Sequence, residues 1–472
     1  MRAARAAILL AATALAGCAT APDYQPPASV APAAYREAGP WTSATPMDGM
    51  PRGAWWRAFG DPVLDDLESR IERASPTLAA ALARYDQAVA LVRRAGTDYY
   101  PEVNVGGAAS RERLSGRRPL AQGRSATFND FSLDGTLSYE ADLWGRVRNS
   151  VRAARADAEG DAADLASVRL SLQASLADAY FRLRGLDAQA ALLRQTVAAY
   201  ERAYDLTLTR HDGGIASGMD VSRARTLLSN ARADLSQVAN ERAAVEHGIA
   251  ALVGEVASSF SIPAAVQPLA PPDVPAGAPS ALLQRRPDIA EAERRMAAAN
   301  ARIGVARSAF FPTVTLGLAG GFEAASGSLL STPASYWALG PLSAMLNLFD
   351  GGRRRAEVQN ARALFEEASA DYRAAVLAAF REVEDGLASA RHLATQAKDQ
   401  RDAAAAAART EDLALTRYRD GASDYLEVVI AQTASLDAQR TSLIIQTERM
   451  RTAVALIRAL GGDYGAGGAL SG

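Results

Sequence analysis

Cysteine is almost absent: among 472 residues only Cys18 carries a thiol. An internal disulfide framework and any zinc site built on several cysteines are thereby excluded. Histidine is scarce too, and the three present, His211, His247 and His392, show no i, i+4 pairing. A metal centre or a histidine-dependent triad has little to draw on. The glycines at Gly461-Gly462 and in the tail from Gly465 to Gly472 lack the Lys-Ser/Thr that a phosphate loop needs. No metal, no cofactor and no enzymatic activity are expected. Lysine is reduced to Lys398, and 51 basic residues against 53 acidic ones leave a net charge of −2. That balance gives no general pull toward nucleic acid. Proline is missing from 120–262 and again from 342 to the end of the sequence.

What is present begins with a signal. Arg2 and Arg5 precede an apolar run from Ala6 to Leu15 that is too short to span a bilayer, the pattern of a cleaved secretory peptide. Leu15-Ala16-Gly17-Cys18 looks like a bacterial lipobox, in which the cysteine is acylated and becomes the mature N-terminus. Ala19 follows where an Asp would signal inner-membrane retention, so the resemblance implies sorting to the outer membrane.

The proline clusters at 22–51 and 263–287 read as extended linkers, because proline fixes φ and removes a donor. The proline-free stretches are rich in Ala, Leu, Arg and Glu with apolar residues at helical spacing, as in Leu170, Leu176, Ala177, Tyr180 and Leu183. From about Leu143 to Arg210, and from about Phe349 to Arg417, little turn chemistry interrupts them. Helices of that span reach about 100 Å at 1.5 Å per residue and pack along one another as coiled coils. Each ends at a glycine-bearing turn, His211-Asp212-Gly213-Gly214 or Tyr418-Arg419-Asp420-Gly421, after which a second helical pattern starts.

Short segments of period two lie between the helices: Val103 and Val105, Phe131 to Glu140, Val314 to Leu318, and more loosely Tyr336 to Leu348. Each predicts a strand with one apolar and one polar face, giving four strands in two pairs. The two halves repeat. Pro76–Pro101 aligns without gaps on Pro287–Pro312 at an offset of 211, and Thr209–Val221 on Thr416–Val428 at an offset of 207. Each half reads helix, strand, strand, long helix, turn, helix. The expected divisions are a signal peptide at 1–17, a lipidated extended segment at 18–60, a first repeat at 61–262, a proline-rich linker at 263–286, a second repeat at 287–462 and a disordered tail at 463–472.

Strands with an apolar and a polar face suit an outer-membrane barrel, and lipid leaves no partner for an open sheet edge. Four strands do not close, since known barrels start at about eight. The chain must therefore oligomerise, and the pattern alone leaves dimer and trimer open.

Leu282-Leu283-Gln284-Arg285-Arg286-Pro287-Asp288-Ile289, then Ala292-Glu293, Ile303-Gly304 and Phe310-Phe311-Pro312, resembles the signature of the outer-membrane factor family, the TolC-like efflux lipoproteins. Pro22-Asp23-Tyr24, Trp55-Trp56, Asp142-Leu143-Trp144-Gly145-Arg146 and Leu348-Phe349-Asp350-Gly351-Gly352-Arg353 are similar to that family as well. The resemblance implies an α+β membrane protein: a homotrimer with a twelve-stranded β-barrel and a twelve-helix periplasmic α-helical barrel. It implies docking to a periplasmic adaptor and an RND-type inner-membrane transporter, residence in the outer-membrane lipid with an anchor at Cys18, and no nucleic-acid partner. It places a periplasmic gate just after the hairpin turns, with Asp220, Glu427, Tyr418 and Asp424 as candidate gate residues and Arg210 and Arg417 as candidate latches. Three-fold symmetry would turn each acid into a ring. The chain departs from the family at Ile430, where many members carry an Asp; either the ring sits one turn away at Glu427 or part of the gate is apolar.

The expected function is the exit duct of a tripartite efflux pump for small molecules. Two other readings stay open here: the outer component of a type I protein-secretion system, and a lipid-anchored periplasmic coiled-coil scaffold without a channel. The strands and the repeat argue against the scaffold.

Overall fold

A computed structural model of the chain describes residues 21–24, 35–36, 53–117, 123–267, 270–272, 274, 285–325 and 335–462. The expected signal peptide, Cys18 and the tail at 463–472 lie outside these residues, as do parts of the linker and of the two loops that join strands. The described elements are α1 (Pro62–Ala74), α2 (Pro76–Thr97), β1 (Glu102–Leu114), β2 (Ala126–Ala141), α3 (Arg146–Asp212), α4 (Gly218–Leu252), α5 (Pro287–Ser308), β3 (Thr313–Ala324), β4 (Ser335–Met345), α6 (Arg353–Arg419) and α7 (Tyr425–Ala459).

The halves repeat in length as well as in order. Helices α2 and α5 hold 22 residues each, α3 and α6 67 each, and α4 and α7 35 each. Two compact units divide the chain: one takes 1–28, 84–162 and 291–372, the other 29–83, 163–290 and 373–472. Each unit therefore draws on both sequence repeats.

The first unit holds the sheet. Its order is β1-β2-β3-β4, antiparallel throughout, so the two expected strand pairs also join each other through β2 and β3. Register shows why the period-two pattern matters. Val103 pairs with Leu137, Leu137 with Leu318 and Leu318 with Leu339, one apolar row across all four strands. The adjacent row, Asn104, Thr136, Ala319 and Ala338, shows the other face, which also carries Asp134 and Ser132. The apolar face is exposed on the single chain, with Val105 at 79%, Trp337 at 80% and Leu342 at 74%. Among the described residues no helix is long and apolar enough to cross a membrane. The greasy face of the sheet is the membrane surface, and the open edges of β1 and β4 demand neighbours.

Both long helices start at the same device. Asp142 accepts from the Val147 and Arg148 amides at 3.1 and 2.9 Å, and Arg148 pairs with it at 3.1 Å. Asp350 accepts from the Gly352 and Arg354 amides at 3.0 and 3.2 Å, and Arg354 pairs with it at 2.6 Å. A carboxylate here satisfies orphan helical N–H groups and meets the positive end of the helix dipole. Trp144 stacks on Phe311 at 4.8 Å and donates its indole N–H to the Pro312 carbonyl at 2.7 Å, closing the corner between strand and helix. In the same unit a short N-terminal strap lies on α5: the Tyr24 hydroxyl donates to Glu293 at 2.6 Å and the Asn300 amide to the Pro22 carbonyl at 2.9 Å. Gly304 makes room for it, because a Cβ there would meet the Ala21 methyl at 2.7 Å.

In the second unit Asp61 caps α1, accepting from the Val63 amide at 2.9 Å, from the Tyr180 hydroxyl at 2.5 Å and from Gln267 at 2.7 Å. Arg286 of the sequence signature is 7% exposed and grips Asp288, Glu382 and the Ala459 carbonyl at 2.6, 2.8 and 3.0 Å. It is a structural bracket at the start of α5.

Candidate functional site

The hairpin ends, all in the second unit, bring the sequence candidates together. In the first turn Gly214 takes φ +75°, and the Ile215 amide returns to the Arg210 carbonyl at 2.8 Å. Ser217 then caps α4 by accepting from the Asp220 amide at 3.2 Å, while Asp220 accepts from the Ser217 hydroxyl at 2.7 Å and its amide at 3.3 Å. This is a closed capping box. The Asp220 carboxylate is thus held at its own helix start, with Arg223 at 3.5 Å as further company.

The second turn repeats the backbone and changes the side chains. Gly421 takes φ +76° and the Ala422 amide bonds the Arg417 carbonyl at 2.8 Å. Asp424 caps α7 by accepting from the Glu427 amide at 3.2 Å. The Glu427 carboxylate does not fold back; it pairs with Arg417 at 3.3 Å, both groups well exposed. Two tyrosines fill the interior: Tyr418 and Tyr425 meet edge to face at 5.2 Å and are buried with Val428, Ala224, Ala414 and Ala431. Burial pushes the Tyr425 phenol up to about 12, against a hydrogen bond with Thr207 that acts the other way.

At the turns themselves Arg210 bridges the two hairpins. Arg210, at the end of α3, donates to the carbonyls of Tyr418 and Arg419 at 2.7 and 2.8 Å, and its guanidinium lies 4.5 Å above the Tyr418 ring. Arg417 stays within its own hairpin. Beside these contacts the Tyr418 hydroxyl, the Ser423 hydroxyl and both polar atoms of the Gln432 side-chain amide are buried with no partner among the described residues. A buried orphan of this kind costs about 1–3 kcal/mol. Exposed apolar side chains flank the same ends: Ile215, Met219, Leu426 and Ile430.

Asp220, Glu427, Tyr418, Asp424, Arg210 and Arg417 therefore all lie at the hairpin ends, in unlike roles. Sequence reasoning missed Ser217, Tyr425 and Gln432. Ser217 with Asp220 three residues on was a readable capping signal. Tyr425 stands out once the offset of 207 sets it against Gly218. Gln432 carried no signal, because its significance is the absence of a partner.

A four-stranded sheet with a lipid-type face and two unpaired edges, carried on paired helices of 67 and 35 residues, defines an oligomeric outer-membrane channel. The family model described as outer membrane efflux protein matches residues 67–255 and 278–462, and the chain belongs to that family. It is 32% identical over 454 residues to the probable efflux pump outer membrane protein TtgC of Pseudomonas putida, covering 95% of this chain and 93% of that protein. It is 33% identical over 460 residues to the pyoverdine export outer membrane protein OpmQ of Pseudomonas aeruginosa, covering 95% of each. Among solved structures it is similar to the outer-membrane channel OprN, with a TM-score of 0.86, 30% identity, and coverage of 94% of this chain and 99% of that one.

The fold class follows: a homotrimer with a twelve-stranded barrel, four strands from each chain, and a helical barrel in the periplasm. The protein is the outer-membrane component of an efflux pump, working with a periplasmic adaptor and an inner-membrane transporter.

Proposed function

We propose that the hairpin ends form the periplasmic gate of this duct, with Arg210 as its latch and Tyr418 as the surface it holds. The observation that carries this reading is the pair of bonds from Arg210 of the first hairpin to two carbonyls of the second. Closure then rests on one charged side chain and an aromatic plug. The orphaned Tyr418 hydroxyl and Gln432 amide push the other way, because parting the hairpins would hydrate them. A seam bridged by Arg210 at the turns and under-satisfied beside it is suited to a two-state element.

The acids act differently in the two halves. In the trimer three copies of Glu427 face one another's protomers, each with Arg417 alongside, so the ring is partly charge-compensated. Asp220 serves the α4 cap first and the constriction second. Asp424 sets the helix start that aims Glu427. Ile430 and Ile215 supply an apolar share of the closure. The chain conducts and carries out no catalytic step, its inner-membrane transporter is of the RND type, and Cys18 bears the lipid anchor just ahead of the strap at residues 21–24.

Single-channel recording in planar bilayers tests the reading. Arg210→Ala is expected to raise conductance, Arg417→Ala to unmask Glu427 and increase cation selectivity, and Glu427→Ala to reduce it. Unchanged conductance in an intact Arg210→Ala trimer would remove the latch.

A further inference from the structure

The two strand hairpins end in unlike chemistry. From Arg111 to Arg124 stand Arg111, Arg113, Arg117, Arg118 and Arg124 against one acid, Glu112, whereas no charged residue occurs from Ala324 to Ser335. Arg118 lies outside the described residues. Helices α2 and α3 both join the other end of this hairpin, so its tip is the end of the sheet farthest from them along the strands.

Register assigns the arginines a face. Arg111 and Arg113 share the odd positions of β1 with Val103 and Val105, and their partners Asn129 and Thr127 share the β2 face of Leu133 and Leu137. That is the apolar, lipid-facing side, and Glu112 belongs to the opposite one. The eight steps from Val103 to Arg111 span about 20 Å along the membrane normal for a tilted strand, close to the apolar band of about 25 Å in such barrels. Arg111 and Arg113 thus stand where hydrocarbon gives way to headgroups. All four described arginines are exposed, and no side-chain hydrogen bond or ion pair engages them among the described residues. Unpaired guanidinium groups beside a lipid face call for anions there, and the planar fork matches phosphate oxygens.

We propose that Arg111, Arg113, Arg117 and Arg124 bind the phosphate groups of the outer-leaflet glycolipid, one site on each protomer, and so fix the depth of the barrel in the outer membrane. The site rests on the barrel and its register and is independent of the gate.

The test is a titration of the purified homotrimer in maltoside detergent with bis-phosphorylated lipid A, the same lipid with its phosphates removed, and inorganic phosphate, read by native mass spectrometry. The wild type should retain the phosphorylated lipid, and Arg111→Gln/Arg113→Gln/Arg117→Gln/Arg124→Gln should weaken retention at least roughly tenfold with the trimer and its ion selectivity unchanged. Should that variant not assemble, Arg111→Gln/Arg113→Gln should show a smaller drop and Arg111→Lys/Arg113→Lys, which keeps the charge and loses the fork, a smaller one still. Equal retention of the dephosphorylated lipid would assign the binding to acyl chains, and equally tight inorganic phosphate would make it a free-anion site; either overturns the proposal. A change in ion selectivity with lipid retention unaltered would place the arginines in the lumen and overturn it as well.

Discussion

The two hairpin turns are copies of one backbone with different work. At the offset of 207, Arg210 stands against Arg417, His211 against Tyr418, Ser217 against Asp424, Gly218 against Tyr425 and Asp220 against Glu427. Both turns close on a glycine with positive φ and both second helices start on a side-chain cap. The backbone needs are identical, so the copies agree there. They part at the side chains that need reach. Aspartate is short enough to fold back on Ser217; glutamate, one methylene longer, meets Arg417. His211 spends its ring on the Ala216 carbonyl at 2.9 Å, whereas Tyr418 turns inward beneath Arg210. The two copies share a scaffold and differ in the contact that crosses it: Arg210 reaches the other hairpin and Arg417 does not.

The strongest way to break this comparison is to give the second turn the first turn's poverty of aromatics. Tyr418→Ala removes a buried ring from the seam, and deletions of that size cost about 3–5 kcal/mol where the site does not collapse. The orphaned hydroxyl leaves with it, so the lower end of that range is expected. Hydrogen exchange should then speed up around 413–430 and much less around 206–223, and conductance should rise. Equal loosening of both turns would mean that the aromatic plug supports the whole bundle end and not the second hairpin.

A difference of another kind sits at α1 in the first half. Glu68 is fully buried with neither oxygen bonded among the described residues, while the offset of 211 falls on Pro279 in the second half. Burial first, then the neighbouring charges of Glu72 and Asp65, push its carboxyl up to about 9. The folded state therefore holds a proton that the unfolded chain releases near its ordinary value of 4.5. Stability from this group is complete below about 4.5 and is lost as pH rises toward about 9. Glu68→Gln should flatten the fall in Tm across that window and leave Tm at pH 4 little changed. A wild-type fall as steep in the variant would assign the pH dependence to other groups.

Much of the architecture was legible because it repeats or is periodic. Long proline-free helical patterns gave α3 and α6 to within a few residues, and alternation at Val103, Val105, Leu316 and Leu318 gave the strands and their faces. The union of the two strand pairs through β2 and β3 was not legible, since strand order lies in partners far apart in sequence. The hairpin ends were legible as a neighbourhood, and the division of labour within them was not. Arg210 bonds backbone carbonyls, which every residue has, so nothing in the sequence marks its target. Arg417 looks equivalent to it until Glu427 is seen to occupy it. The strap at Pro22 and Tyr24 depends on Asn300 and Glu293 of the opposite half, a pairing no local pattern carries.

The smallest effect is the sharpest test of the copied caps. Ser217 and Asp424 each accept from the third amide of their helix, and losing such a cap to alanine costs about 1 kcal/mol. The two losses should differ in consequence. In Ser217→Ala the Asp220 carboxylate loses its hydroxyl partner and becomes free to turn toward the trimer axis, adding negative charge at the proposed constriction. In Asp424→Ala a negative charge is removed and the start of α7 frays, so Glu427 is aimed less well. Similar small losses of stability should therefore accompany opposite changes in cation selectivity, higher for Ser217→Ala and lower for Asp424→Ala. If both variants shift selectivity in one direction, the capping box is not what keeps Asp220 out of the gate, and the contrast between the two turns rests on Arg210 and the tyrosines alone.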